Sequence, residues 1–222
     1  MACEITIIYD KGANCYLLKT SEGFFMIDTG YAFSRSVVKK ALEGAGCNPG
    51  DLKLIILTHG DVDHTGNCKY LRKKYGAKIV MHRDEAAAVV TGNMLAVRKN
   101  SIGAVLKFLM VLVRFIMPRR FSPDIFLADG DALSPYGLDA KVLHTPGHTI
   151  GSISVLTPEG DLFCGDLLVG GRNPGINHLV DDMAQMKAGI LRIKGLNIKQ
   201  IYPGHGRPFT LQELLNHDGK TD

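Results

Sequence analysis

Tryptophan is absent from this 222-residue chain, and aromatic residues make up only 7% of it. Proteins that track single-stranded nucleic acid stack bases on aromatic side chains set in a basic groove, so nucleic acid is not expected as a partner. The positive excess is small, +4 with a sequence pI near 8.8, and it is spread along the chain rather than gathered into an arm. Five cysteines, Cys3, Cys15, Cys47, Cys68 and Cys164, form an odd set with no CxxC pair. That spacing does not fit a small disulfide framework and suits reduced thiols in the cytosol. The start, Met1-Ala2-Cys3-Glu4-Ile5-Thr6, lacks the basic and apolar stretches of a signal peptide, so the expected location is cytoplasmic. No apolar run reaches the length of about 18 residues that a membrane-spanning helix needs. Residues 102–117 come nearest and are interrupted by Lys107 and Arg114, so no membrane span is expected.

What is present is ordinary for a folded domain: 45% hydrophobic and 22% charged residues. No Ser/Pro-rich or charge-run linker divides the chain, so residues 1–222 read as one domain. Apolar runs separated by glycine-containing turns predict strands over 4–9, 14–20 and 24–27, with the short turns making them antiparallel neighbours. Helical spacing of Val37, Val38, Ala41 and Leu42 predicts a helix over 34–42. Further strands are predicted at 52–57, 78–81, 141–143, 153–156, 161–164 and 200–202, and helices at 69–75, 84–90, 183–193 and from 211. Residues 92–123 break this rhythm, since a basic pair, Arg98-Lys99, leads into the apolar segment 102–117 and its stop at Pro118. That stretch reads as a helical insertion.

The informative stretch follows the strand at 52–57. Thr58-His59-Gly60-Asp61-Val62-Asp63-His64 puts two imidazoles and two carboxylates into six positions. Carboxylates this close resist ionising together, and a divalent cation reverses that cost while suiting nitrogen and oxygen ligands. An acidic turn capping a helix accounts for one aspartate but not for both flanking histidines. Three more strand ends offer the same ligand types, in Thr145-Pro146-Gly147-His148, Cys164-Gly165-Asp166 and Pro203-Gly204-His205. A lone histidine in a Pro-Gly turn is ordinary, but four strand ends that each offer His or Asp point to one rim where they converge. His82 and His144 are read as hydrogen-bonded structural histidines, and His178 as a surface residue.

Asp28-Thr29-Gly30, the His59 to His64 cluster, His148, Asp166 and His205 resemble, in order and spacing, the five motifs of the metallo-β-lactamase superfamily. The resemblance spans Asp28 to Gly206. It implies an α+β fold, a four-layer αβ/βα sandwich of two mixed β-sheets face to face with helices outside, and a two-metal site at one edge. It also implies His59, Asp61 and His148 as ligands of a first metal, Asp63, His64 and His205 as ligands of a second, and Asp166 as the bridge. Asp63 is further assigned the catalytic role, and Asp28 is expected to support the ligand loops by hydrogen bonding. Substrate-contacting residues stay unassigned. One position departs from the pattern: the family's H-x-H-x-D-H is H-x-D-x-D-H here, with Asp61 where the second histidine belongs. Two divalent ions carry four positive charges, the three aspartates remove three, and a bridging hydroxide closes the sum at zero, one less than the family's usual total. A harder oxygen ligand suits iron or manganese as well as zinc, so zinc is the first expectation for the two ions and the other metals are its alternatives.

The function implied is hydrolysis of an ester, thioester or lactone bond in a small apolar or acyl substrate by attack of a metal-bound hydroxide. Lactone cleavage loses support from Val169, which stands where the family's lactonases place a tyrosine. Two readings of other classes remain: an iron-dependent oxidoreductase of the same fold, which Asp61 suggests, and a ligand-binding protein with a degenerate metal site. Lys107 and Arg114 are seven apart and fall on one stripe of the 102–117 segment. That segment serves as a packing helix, a lid over the metal rim, a membrane-surface contact or the contact of a homodimer.

Overall fold

Period-two alternation sorts the N-terminal apolar runs onto two faces. The computed structural model describes residues 3–10, 12–98 and 120–218. In it β1 (Glu4–Asp10), β2 (Ala13–Thr20), β3 (Gly23–Ile27), β4 (Leu52–Ile56), β5 (Lys78–His82) and β6 (Ile125–Leu127) stand side by side. The first three are antiparallel neighbours, while β3 through β6 run parallel. Cys15, Leu17, Phe24, Met26, Ile55, Ile79 and Met81 pack on one face with residues of α1 (Arg35–Gly44) and, beyond the short α2 (Val62–Thr65), of α3 (Cys68–Tyr75). The alternate residues Tyr16, Leu18, Phe25, Ile27, Leu54, Ile56 and Val80 face the other way. The helices form where apolar side chains recur at helical spacing: Val38 and Leu42 are the buried pair of α1, and α3 ends where Gly76 takes the left-handed conformation.

After α4 (Ala86–Thr91) and β6, the second sheet is built from β7 (Lys141–His144), β8 (Ile153–Leu156) and β9 (Asp161–Val169), carrying β10 (Gly175–Ile176) on β9. It continues through β11 (Gln200–His205), which runs parallel to β9 and bears β12 (Phe209–Thr210). α5 (Met183–Lys194), capped by the Asp182 carboxylate on the Gln185 amide, and α6 (Leu211–Asp218) cover its outer face with Met186, Ile190, Ile193 and Leu214. Its inner face sends Val142, Ile153, Val155 and Phe163 against the inner face of the first sheet. Each such fully buried side chain stabilises the sandwich by about 1.5–3 kcal/mol. The layers are therefore helix, sheet, sheet, helix, the expected αβ/βα sandwich. Among the described residues a single pair, His205 with Ala13, joins β11 to β2, so the twelve strands described form one hydrogen-bonded sheet, nine of them in one path with β1, β10 and β12 paired to its side.

Strand direction positions the chemistry. Because β3 and β4 are parallel, Asp28 and Thr58-His59 leave the first sheet at one edge. Parallel β9 and β11 bring Asp166 and His205 together in the second. Both strands run past their predicted ends. β11 shifts register around Pro203, and Gly165 takes a φ of 51° within β9, so the backbone bends without leaving the ladder. Asp166 and His205 thus sit in strands rather than in the loops expected for them. The helix predicted at 84–90 begins as a 3-10 turn, Arg83–Glu85, and continues as α4. The segment 102–117, with Lys107 and Arg114, lies outside the described residues. Of the described residues within 92–123, Met94–Val97 form a 3-10 turn. Among the described residues no helix is long and apolar enough to cross a membrane.

Candidate metal centre

Four imidazoles share one orientation. The Nδ1 of His59 lies 3.0 Å from the Thr58 hydroxyl, and that hydroxyl donates to Asp28. His64 Nδ1 lies 2.8 Å from the Asp28 carboxylate, His148 Nδ1 2.6 Å from the Leu179 carbonyl, and His205 Nδ1 2.7 Å from the Gly12 carbonyl. Each Nδ1–H is therefore tied to an oxygen behind the ring, which turns the Nε2 toward a common centre. Asp28 binds three groups at once, accepting from the Thr58 amide, the Thr58 hydroxyl and His64. It is the single non-glycine residue with positive φ, 57°, among the described residues, a conformation that Asp tolerates better than most side chains and that aims its carboxylate under the ligand loop.

Three groups of inward atoms lie within 4.8 Å of one another: His59, Asp61 and His148; Asp63, His64 and His205; and His59, His64 and Asp166. Asp166 spans the first two groups. Its Oδ1 is 3.5 Å from His64 Nε2, and its Oδ2 is 3.6 Å from His148 Nε2 and 3.3 Å from His205 Nε2. His205 Nε2 is also 3.4 Å from Asp63. His59 Nε2, His64 Nε2, Asp61 Oδ1 and Asp166 Oδ1 are buried without a hydrogen-bond partner. Each such orphan costs roughly 1–3 kcal/mol, and four in one cluster is an arrangement that divalent cations satisfy. The residues present fit two metal positions: nitrogen and oxygen donors, neutralising carboxylates, and orienting groups behind every ring.

The cluster's charges act strongly on one another. Burial opposes an imidazolium at His64, yet Asp28, Asp63 and Asp166 outweigh it and raise the pKa to about 10. Burial likewise opposes His205, and Asp166 and Asp63 lift it to about 11. Asp166 is held well below the usual carboxylate range, because His64, His205, His148 and His59 more than offset its burial. At neutral pH these two imidazoles carry protons that a cation must displace. Metal affinity is therefore expected to rise with pH between 6.5 and 8, by up to about 10-fold per unit for each proton released. Competition with a fluorescent chelator measures it, and an affinity independent of pH would rule this account out.

Three contributors escaped the sequence reading. Glu85, fully buried, accepts from the Gly60 amide at 2.8 Å and the Gly151 amide at 2.9 Å, clamping the His59 and His148 loops together. Asn177 donates to Asp166 Oδ2 at 3.1 Å and accepts from the Leu179 amide, so it ties Asp166 to the residue that orients His148. Arg98, read only as part of a basic stretch, has a buried side chain paired with Asp61. None carries a motif signal, since Glu85 lies on a short polar turn and Arg98 next to Lys99. Gly204 is required sterically, because a Cβ there would stand 2.3 Å from Asp166 Oδ1. Away from the centre, His82 and His144 stack with ring centroids 4.3 Å apart, and His144 Nε2 lies 3.0 Å from the Ile150 carbonyl. His178 is exposed.

A family model described as the metallo-beta-lactamase superfamily matches residues 8–205. The chain is 27% identical over 202 residues to a probable metallo-hydrolase of Methanocaldococcus jannaschii, covering 89% of each. It is 26% identical over 226 residues to an acyl-coenzyme A thioesterase of Bos taurus, covering 93% of this chain and 78% of that one. The chain spans 56%, 62% and 52% of the length of three further curated relatives. Among solved structures, a protein in a di-iron-bound form superposes with a TM-score of 0.72 at 22% identity, over 96% of this chain and 98% of that one. That likeness is one of fold.

Proposed function

The chain belongs to the metallo-β-lactamase superfamily, and on that premise we propose that it is a cytoplasmic metal-dependent hydrolase of ester, thioester or lactone bonds in small molecules. The observation that carries the reading is the convergence of four inward Nε2 atoms on three carboxylates. His59, Asp61 and His148 would hold one cation, Asp63, His64 and His205 a second, and Asp166 would touch both. Divalent ions at such positions supply Lewis acidity, making water acidic and polarising a carbonyl. The chain's own residues set the direction of approach. The side chains of His59 and His64 are sealed off, whereas those of His205 and Asp63 are 27% and 17% exposed, so substrate enters from the Asp63 and His205 side. A carboxylate at Asp63 is there to accept the proton that water gives up. The thioesterase described among the relatives supports an acyl thioester as the first substrate class to test.

A second reading is an iron-dependent oxidoreductase, favoured by the oxygen donor of Asp61 in a position where the family's motif has nitrogen. Protein stripped of metal and reloaded with zinc, iron or manganese separates the two. Zinc-dependent turnover in a panel of thioesters, esters and lactones, abolished by chelation and restored by zinc, is the expected result. Iron-dependent oxygen uptake without hydrolysis would replace the hydrolase reading. Metal content per chain, measured by plasma mass spectrometry, separates the readings as well: about two zinc or manganese ions support the hydrolase, and predominant iron supports the oxidoreductase.

A further inference from the structure

The two metal positions differ in one respect that the ligand pattern does not show. The Arg98 side chain is 2% exposed and forms an ion pair with Asp61 Oδ2. The same guanidinium nitrogen lies 3.1 Å from His148 Nε2, and its neighbour donates to the His148 carbonyl at 3.2 Å. His148 Nδ1 is already spent on Leu179, and Nε2, which also lies 3.2 Å from Asp61 Oδ2, offers in the neutral ring one lone pair, which accepts from Arg98 or binds a cation but not both. Two of the three donors of the first position are therefore in contact with this one guanidinium. Around the second position no Lys or Arg among the described residues is paired with Asp63 or Asp166, whose ion-pair partners there are histidines.

We propose that Arg98 is a resident counter-ion of the first metal position, so that the chain loads the Asp63, His64 and His205 position first and admits a second cation only when the guanidinium withdraws from Asp61 and His148. This rests on the metal-dependent reading above and assigns it an order of loading. The pair also explains how Asp61 is tolerated at a position where the motif has a neutral histidine. Without a cation, a buried Asp61 carboxylate needs a positive partner, and Arg98 provides it.

Isothermal titration of the metal-free protein with zinc tests the order. Wild type is expected to bind one ion tightly and a second at least about 10-fold more weakly, the scale of one modest like-charge repulsion. Arg98→Met and Arg98→Gln, two variants so that one folding failure does not decide the matter, should bind both ions with affinities within about threefold of each other. His205→Ala should erase the tight event and His59→Ala should leave it. Two equal sites in wild type, or a second site no stronger in either Arg98 variant, overturns the proposal while leaving the hydrolase reading intact. Absence of zinc binding in wild type and variants alike overturns both.

Discussion

Asp166→Asn should strip the centre of metal and reduce turnover by well over about 100-fold, beyond the 10–100-fold typical of groups that merely orient ligands. The substitution keeps the shape of the side chain and removes its charge. Asp166 faces Nε2 atoms of both ligand groups, His64 and His205 on one side and His148 on the other, so no other residue compensates for it. Its Oδ1 has no hydrogen-bond partner while its Oδ2 accepts from Asn177. The amide of the variant therefore has either to turn its NH2 toward Asn177 or to aim a donor at the imidazoles, and both outcomes oppose a cation. Plasma mass spectrometry of the purified variant and hydrolysis assays in excess zinc measure the effect. A variant that retained wild-type metal content and a tenth or more of the activity would remove Asp166 from the bridge position.

Glu85→Ala is expected to destabilise the fold by about 3–6 kcal/mol, the loss of two hydrogen bonds to a buried charged group at about 1.5–3 kcal/mol each. Its two carboxylate oxygens accept from Gly60, next to His59, and from Gly151, three residues after His148. The glycines belong to the same device: a Cβ on Gly60 would stand 3.0 Å from Glu85 Oε2, and one on Gly151 would stand 2.9 Å from Glu85 Cγ. Loss of the clamp frees the two ligand loops from each other, so zinc affinity should fall along with stability. Glu85→Gln keeps one acceptor and should lie between the alanine variant and wild type. Urea unfolding of the metal-free forms, with metal linkage removed, reads the structural part alone. A Glu85→Ala change below about 1 kcal/mol would place it among ordinary surface substitutions and end the clamp argument.

The strands and helices were legible because each carries its periodicity locally. Phe24, Met26 and their alternates on β3, or Val38 and Leu42 on α1, state which face is buried before any partner is known. The candidate ligands were legible for a different reason. His59, Asp61, Asp63 and His64 crowd six positions, and a divalent cation would relieve the repulsion between their carboxylates. The endpoints of β9 and β11 were not legible, since Gly165 and Pro203 read as stops in a linear pattern. In the folded chain each is a bend that keeps its strand in the ladder.

By itself, then, the amino-acid sequence determined most of the strands and helices and the His and Asp donors crowded at strand ends, because periodicity and local donor crowding are properties of short segments, while the sandwich, its layer order and the grouping of seven ligands were implied by the resemblance of its motifs to the family. Tertiary structure alone decided what stands behind and beside those side chains: Gly12 and Leu179 carbonyls orienting His205 and His148, Glu85 joining two loops, and Arg98 pressed against Asp61. Those partners lie up to 193 residues from the groups they serve. A contact across that separation is written in no periodic signal, and it exists only once the two sheets have closed around their shared core.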